Sequence, residues 1–184
     1  MDDKQKSITV FLTALLSDSD LIQALTGEPL RDVEPAVLEG YDLVVQKIDQ
    51  LPEAAQRIIR ETWGNSFESY NLTPGNGSIK GIKCKITEDQ WARLDDLELG
   101  EFGWFVPKEV VIGNLSTGER NSVMTLVMGE GQSFDRRVDG HNYSPFLMPR
   151  ERTLEVASNV RQLYDTQHNI QPEGNTLQRR EFRY

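Results

Sequence analysis

The sequence predicts an α+β domain: a small mixed or antiparallel β-barrel with helices at its rim, followed by a C-terminal helix and tail. Three observations carry this expectation. Strand-like stretches dominate residues 1–128, several of them alternating apolar and polar side chains, and the helical stretches between them are short. No regular strand-helix-strand alternation is present, and neither is a GxGxxG or GxxxxGK[ST] phosphate loop. Composition then breaks after Met128, where Gly, Asp, Arg, Asn and Pro accumulate before one more helical pattern. The division expected is a barrel domain over 1–128 and an extension of loop, helix and tail over 129–184.

The elements follow in order. Ser7 to Leu16 is apolar and partly β-branched, and reads as the first strand. Ser17-Asp-Ser-Asp20 supplies N-caps for a short helix stopped at Gly27. Val37, Tyr41, Leu43 and Val45 mark a second strand over Val37–Val45, with period two across most of it. Leu51 to Trp63 carries a helical stripe of Leu51, Ala55, Ile58 and Ile59, opened by Pro52 and closed by Gly64. Phe67–Leu72 reads as a strand, Pro74-Gly-Asn-Gly77 as a turn, and Ile82, Cys84 and Ile86 as the next strand. Thr87 and Gln90 form a capping box for a helix with Trp91, Leu94 and Leu97, punctuated by Gly100 and Gly103. Val106, Lys108, Val110 and Ile112 share one face of a further strand, with Phe105 and Val111 on the other. Ser122–Met128 is apolar on both faces and closes the barrel. Gly129–Pro149 reads as a long loop. Glu151–Gln167 reads as an amphipathic helix with Leu154, Val156, Val160, Leu163 and Tyr164. The polar run from His168 ends in Phe182 and Tyr184.

Composition limits function. A chain of 184 residues, 38% hydrophobic and 27% charged, supports one domain with a real core. Its net charge of −9 lies in the first two thirds, which argues against a nucleic-acid or anionic-membrane partner. No signal peptide or membrane span is visible, so a cytoplasmic location is expected. The single Cys84 rules out a disulfide framework and reads as a core cysteine, since alternation turns Lys83 and Lys85 to the opposite face.

One acid stands apart. Glu98 lies seven residues after Trp91 and four after Leu94, on or beside the core-facing stripe of its helix. A carboxylate held against apolar surface is desolvated and becomes a better general base. The same spacing also fits a helix-end acid that reaches to water. The other constellations carry no chemistry. His141 and His168 fall in loop-like segments outside any tight metal-ligand spacing. Asp95, Asp96, Glu98 and Glu101 read as a solvated helix end rather than a cation site. Arg136-Arg137 and Arg179-Arg180 read as surface ion pairs or partner contacts. No cofactor and no metal is expected.

From Leu38 to Ile112 the chain resembles the γ-glutamylcyclotransferase-like, or AIG2-like, family. The resemblance rests on Leu38-Glu-Gly-Tyr-Asp-Leu, Asn71-Leu-Thr-Pro-Gly-Asn-Gly-Ser, Ile79-Lys-Gly-Ile-Lys-Cys-Lys-Ile, Leu94-Asp-Asp-Leu-Glu98 and Phe105-Val-Pro-Lys-Glu-Val-Val-Ile. It extends over roughly residues 8–128 and leaves the tail uncovered. It implies a small barrel with a cavity at one end. It also implies that Glu98 takes a proton from the α-ammonium of a γ-glutamyl group, whose freed amine attacks the γ-carbonyl to give 5-oxoproline and an amine. Enzymes of that family grip the substrate with backbone N–H groups of a Tyr-Gly-Ser or Tyr-Gly-Thr loop and a following leucine-like residue. The equivalent stretch here is Leu12, Thr13, Ala14 and Leu15. A β-branched Thr13 in place of that glycine implies strain or a changed path.

Two readings follow. In one the chain is a γ-glutamylcyclotransferase-like transferase acting on a small γ-glutamyl-amine-like substrate, with Glu98 as base and residues 12–15 as an altered cradle. In the other it is a non-catalytic relative that binds a small molecule or protein partner through the barrel cavity and the C-terminal tail. The apolar stripe of the last helix needs a surface to cover, either the barrel or a second copy in a homodimer.

Overall fold

A computed structural model describes residues 6–170. Five strands close a mixed barrel: β1 (Ser7–Leu12), β2 (Arg31–Lys47), β3 (Glu68–Thr87), β4 (Phe105–Asn114) and β5 (Arg120–Met128). Around the barrel the order is β3-β1-β5-β4-β2, and β2 pairs back onto β3. Every pairing is antiparallel except β1 with β5, where Val10 lies beside Met124 in parallel. A sixth strand, β6 (Arg136–Val138), lies outside the closed ring and pairs with Leu43–Val45 of β2. The helices are α1 (Ser19–Thr26), α2 (Glu53–Trp63), α3 (Glu88–Leu97) and α4 (Arg150–Ile170).

Alternation on the strands builds two cores. Phe11, Leu38, Leu43, Ile79, Ile112 and Val123 form an all-strand cluster. Val10, Leu12, Cys84 and Ile86 point the other way and pack with Leu21, Ile22 and Leu25 of α1, Ile59 of α2 and Leu94 of α3. Phe105 joins this helix-covered core, while Val110 and Ile112 join the other. Val111 shares its face with Phe105 but is 53% exposed. Local signals set the helix ends. The Asp18 side chain accepts from the Leu21 N–H and Gly27 closes α1 in the left-handed region. Thr87 and Gln90 form the expected capping box of α3.

Several expectations are corrected. The first strand stops at Leu12 rather than Leu16, because residues 14–17 form a 3-10 turn held by the Leu16 N–H on the Thr13 carbonyl. The second strand begins at Arg31, not Val37. Residues 31–35 are exposed and lack a hydrophobic signature, and main-chain pairing with β3 extends the strand through them. Pro74-Gly-Asn-Gly77 is no turn. β3 runs through it, and Gly75, Asn76 and Gly77 bulge opposite the single residue Gly40. Glycine is required there by a close approach. A Cβ on Gly75 would meet the Asp42 carboxylate at 2.1 Å, and the Gly77 N–H donates to Asp42 Oδ1 at 2.9 Å. Residues 129–149 are not all loop, since they supply β6. His168 lies on α4, its ring stacked on Tyr164 at 3.9 Å.

The extension shares the helix-covered core of the barrel. Val156, Ala157 and Val160 of α4 are buried in it, and α4 packs along α1. Arg93 of α3 pairs with Asp165 of α4 at 2.6 Å. Arg179, Arg180, Phe182 and Tyr184 lie outside the described residues. No described helix is long and apolar enough to cross a membrane.

Candidate active site

Glu98 stands at the junction of α3 and β4. It is the C-cap of α3, and its N–H donates to the Leu94 carbonyl at 3.0 Å. The helix ends on it because Leu99 turns into the left-handed region at φ 52°. A helix end of this kind normally carries glycine. Here Leu99 is fully buried, and its packing offsets the strain. The reversal keeps the Glu98 side chain against the core, where the residue is 5% exposed. Burial pushes its carboxyl up to about 8, and the negative charge of Asp95 adds to the shift. The reading of this acid cluster as a solvated helix end is therefore corrected: Asp96 and Glu98 are both buried.

Leu12, Thr13, Ala14 and Leu15 line one cleft together with Glu98, Ser69, Tyr70, Asn71 and Thr125. The fold thus brings the acid and the loop to one space of about 430 Å³, counting its mouth. The strain expected at Thr13 falls elsewhere. Thr13 has ordinary extended backbone at φ −129°. The positive φ, 52°, is at Ala14, one residue on, and the small side chain makes it tolerable. Ala14, which lines the cleft, and Leu99, which follows the acid that lines it, both lie in the left-handed region.

A second cleft shares Glu98, Leu15, Ser69 and Tyr70 with the first. Its remaining walls include Trp63, Phe67, Trp104, Leu147 and Met148, around a space of about 570 Å³. Sequence reasoning missed these residues and one more, Tyr143. The Tyr143 hydroxyl accepts the Ala14 N–H, donates to the Lys80 carbonyl, and its ring meets Tyr70 edge-on at 5.5 Å. Burial raises the phenol above its ordinary value, so it stays protonated and able to donate. An aromatic in a Gly- and Asn-rich loop was the available signal.

A buried amide network supports the floor. Gln46 Oε1 accepts from Asn71 Nδ2 at 2.9 Å and from Trp104 Nε1 at 3.0 Å, while Gln46 Nε2 donates to Gln132 Oε1 at 3.0 Å. The arginine pair 136–137 forms surface ion pairs, Arg136 with Glu68 and Asp135, Arg137 with Asp42. Among the described residues no group of three His, Cys, Asp or Glu is placed to hold a metal ion.

The chain is a closed mixed barrel of five strands with a buried acid, Glu98, lining a cleft. No family model and no curated protein matches the chain. Solved structures do. A γ-glutamyl cyclotransferase superposes with a TM-score of 0.53 at 15% identity, over 67% of this chain and 67% of its own. An uncharacterized protein from Homo sapiens superposes at 0.52 and 15% identity, over 71% and 70%. A protein from Arabidopsis thaliana, solved in solution, superposes at 0.52 and 16% identity over 94% and 98%. The fold is therefore that of the γ-glutamylcyclotransferase-like proteins.

Proposed function

We propose that this chain cyclises a γ-glutamyl-amine-like substrate, with Glu98 as the general base. The observation that supports this reading is the shared cleft: one buried carboxyl facing the loop of residues 12–15 in a barrel of this fold. Glu98 as carboxylate takes a proton from the substrate's α-ammonium. The freed amine forms a bond to the γ-carbonyl carbon, and the bond from that carbon to the amide nitrogen breaks. Two hydrogens of the ammonium end on the departing nitrogen, one of them through Glu98. The products are 5-oxoproline and a protonated amine. A base whose pKa lies near the working pH suits both halves of this transfer.

The test is 5-oxoproline release by the wild type and by Glu98→Gln. The amide keeps the shape and cannot accept the proton, so activity falls by about 100-fold or more. Unchanged release would place the base elsewhere. One observation favours the second reading, a binding protein without catalysis: the Ala14 N–H, a donor of the loop that would grip substrate, already meets the Tyr143 hydroxyl. Ligand binding with no 5-oxoproline from any γ-glutamyl compound would establish it.

A further inference from the structure

We infer that the second cleft, walled by Trp63, Phe67, Trp104, Leu147 and Met148, takes the departing amine of the substrate, and that this amine is an arylalkylamine without a carboxylate. The inference deepens the cyclisation reading and rests on it.

Position comes first. The two clefts meet at Glu98, so a γ-glutamyl group held against residues 12–15 places its amide nitrogen beside the acid and its amine portion in the second cleft. The walls set the chemistry. Trp63 lies 5.6 Å from Phe67, and Phe67 lies 6.0 Å from Trp104, centroid to centroid. The Trp104 N–H is committed to Gln46, which leaves its ring as an apolar wall. Such surface favours an aromatic or alkyl body.

Charge then excludes an amino acid. Among the described residues lining this cleft the charged ones are Glu68 and Glu98, and none is Lys or Arg. The neighbouring cations are engaged. Arg136 binds Glu68 through two contacts of 3.1 and 3.2 Å. Arg152 pairs with Glu155 at 3.1 Å and donates to the Thr62 carbonyl at 3.0 Å. A departing amino acid or dipeptide would bring its carboxylate beside Glu98 and an already paired Glu68, with each neighbouring cation engaged elsewhere, at a desolvation penalty. An amine without a carboxylate avoids this, and its ammonium product is attracted to Glu98.

The experiment compares γ-glutamyl-phenethylamide with γ-glutamylphenylalanine, which differs by the added carboxylate, and with glutathione, using the full chain and 5-oxoproline release. The expected result is a KM for the phenethylamide at least tenfold below that for γ-glutamylphenylalanine. Trp63→Leu raises the former at least fivefold. Leu147→Arg, at a half-buried loop position, puts a cation in the cleft and shifts preference toward γ-glutamylphenylalanine. Phenethylamine alone is titrated by tryptophan fluorescence. Equal or better use of γ-glutamylphenylalanine by the wild type overturns the amine site and leaves the cyclisation reading standing. Saturable phenethylamine binding that Trp63→Leu weakens, with no 5-oxoproline from any compound, sinks the cyclisation reading and keeps the site. Absence of phenethylamine binding overturns the site.

Discussion

The phenol oxygen of Tyr143 accepts the Ala14 N–H at 3.4 Å and donates to the Lys80 carbonyl at 2.6 Å. One side chain from the segment after the barrel thereby ties the left-handed turn of the cleft to the middle of β3. Tyr143→Phe keeps the ring contact with Tyr70 and removes both bonds. The expected loss is about 0.5–1.5 kcal/mol from the short bond to Lys80, the net worth of one hydrogen bond in a folded protein, with little added by the long 3.4 Å contact. It is read as a lower urea midpoint at unchanged slope. Tyr143→Ala also loses the ring and costs more. Equal midpoints for wild type and Tyr143→Phe would show that the hydroxyl contacts carry no weight.

The Glu98 carboxyl makes stability depend on pH in a defined direction. Its folded value is about 8 against an ordinary 4.5. Between those values the folded chain holds a proton that the unfolded chain has released. The contribution is fully present below about 4.5 and is lost as pH rises through about 8. Glu98→Gln removes it, so the stability of the variant relative to wild type grows from pH 5 to pH 9. Urea denaturation at both pH values checks this. Parallel behaviour would mean that Glu98 titrates as an ordinary acid. If the chain cyclises γ-glutamyl amides, the wild-type rate rises with pH through the same region.

Leu99 pits backbone strain against burial. Leu99→Gly relieves a left-handed conformation worth about 1–2 kcal/mol. It also empties a fully buried leucine site, a loss of about 2–5 kcal/mol for truncation to alanine alone. Burial wins, and the variant is less stable despite the better backbone match. A calorimetric melting temperature at or above wild type would show that strain dominates at this turn.

What the sequence disclosed follows from which interactions leave a local trace. Capping at Asp18, Thr87 and Gln90 and the alternation around Cys84 are local, and the helices and strand they mark are present. Glu98 was only half legible. Its spacing from Trp91 and Leu94 puts it on or beside the core-facing stripe, but the same spacing fits a helix-end acid reaching to water, and its burial depends on the turn at Leu99. The bulge at 75–77 reads as a turn in the sequence, because Gly-Asn-Gly looks the same whether the chain reverses or makes room for Asp42. β6 was missed because Arg136–Val138 is short and mostly exposed, and its pairing with β2 is set by distant residues. The Tyr143 contact joins residues 129 positions apart and has no local signature.

Arg93 gives the last test, of how α4 holds α3 and hence the helix that ends on Glu98. Its guanidinium pairs with Asp165 of α4 at 2.6 Å and with Asp89 at 2.9 Å, and lies 4.3 Å from the Tyr164 ring centroid. The side chain is 11% exposed, and its buried Nη1 has no hydrogen-bond partner among the described residues. Removing one partner of such a pair leaves a charge poorly solvated, whereas replacing the cation by an apolar chain of similar length removes the desolvation cost with it. Asp165 is 41% exposed, so water moderates the first loss. Asp165→Ala is expected to cost about 1–3 kcal/mol, and Arg93→Met less than Asp165→Ala. The double variant should be no less stable than Asp165→Ala alone, because an uncharged side chain on α3 no longer needs the acid. Chemical denaturation of the three proteins decides it. A larger loss for Arg93→Met than for Asp165→Ala would mean that the ion pair and ring contact, rather than apolar packing, fasten α4 to α3.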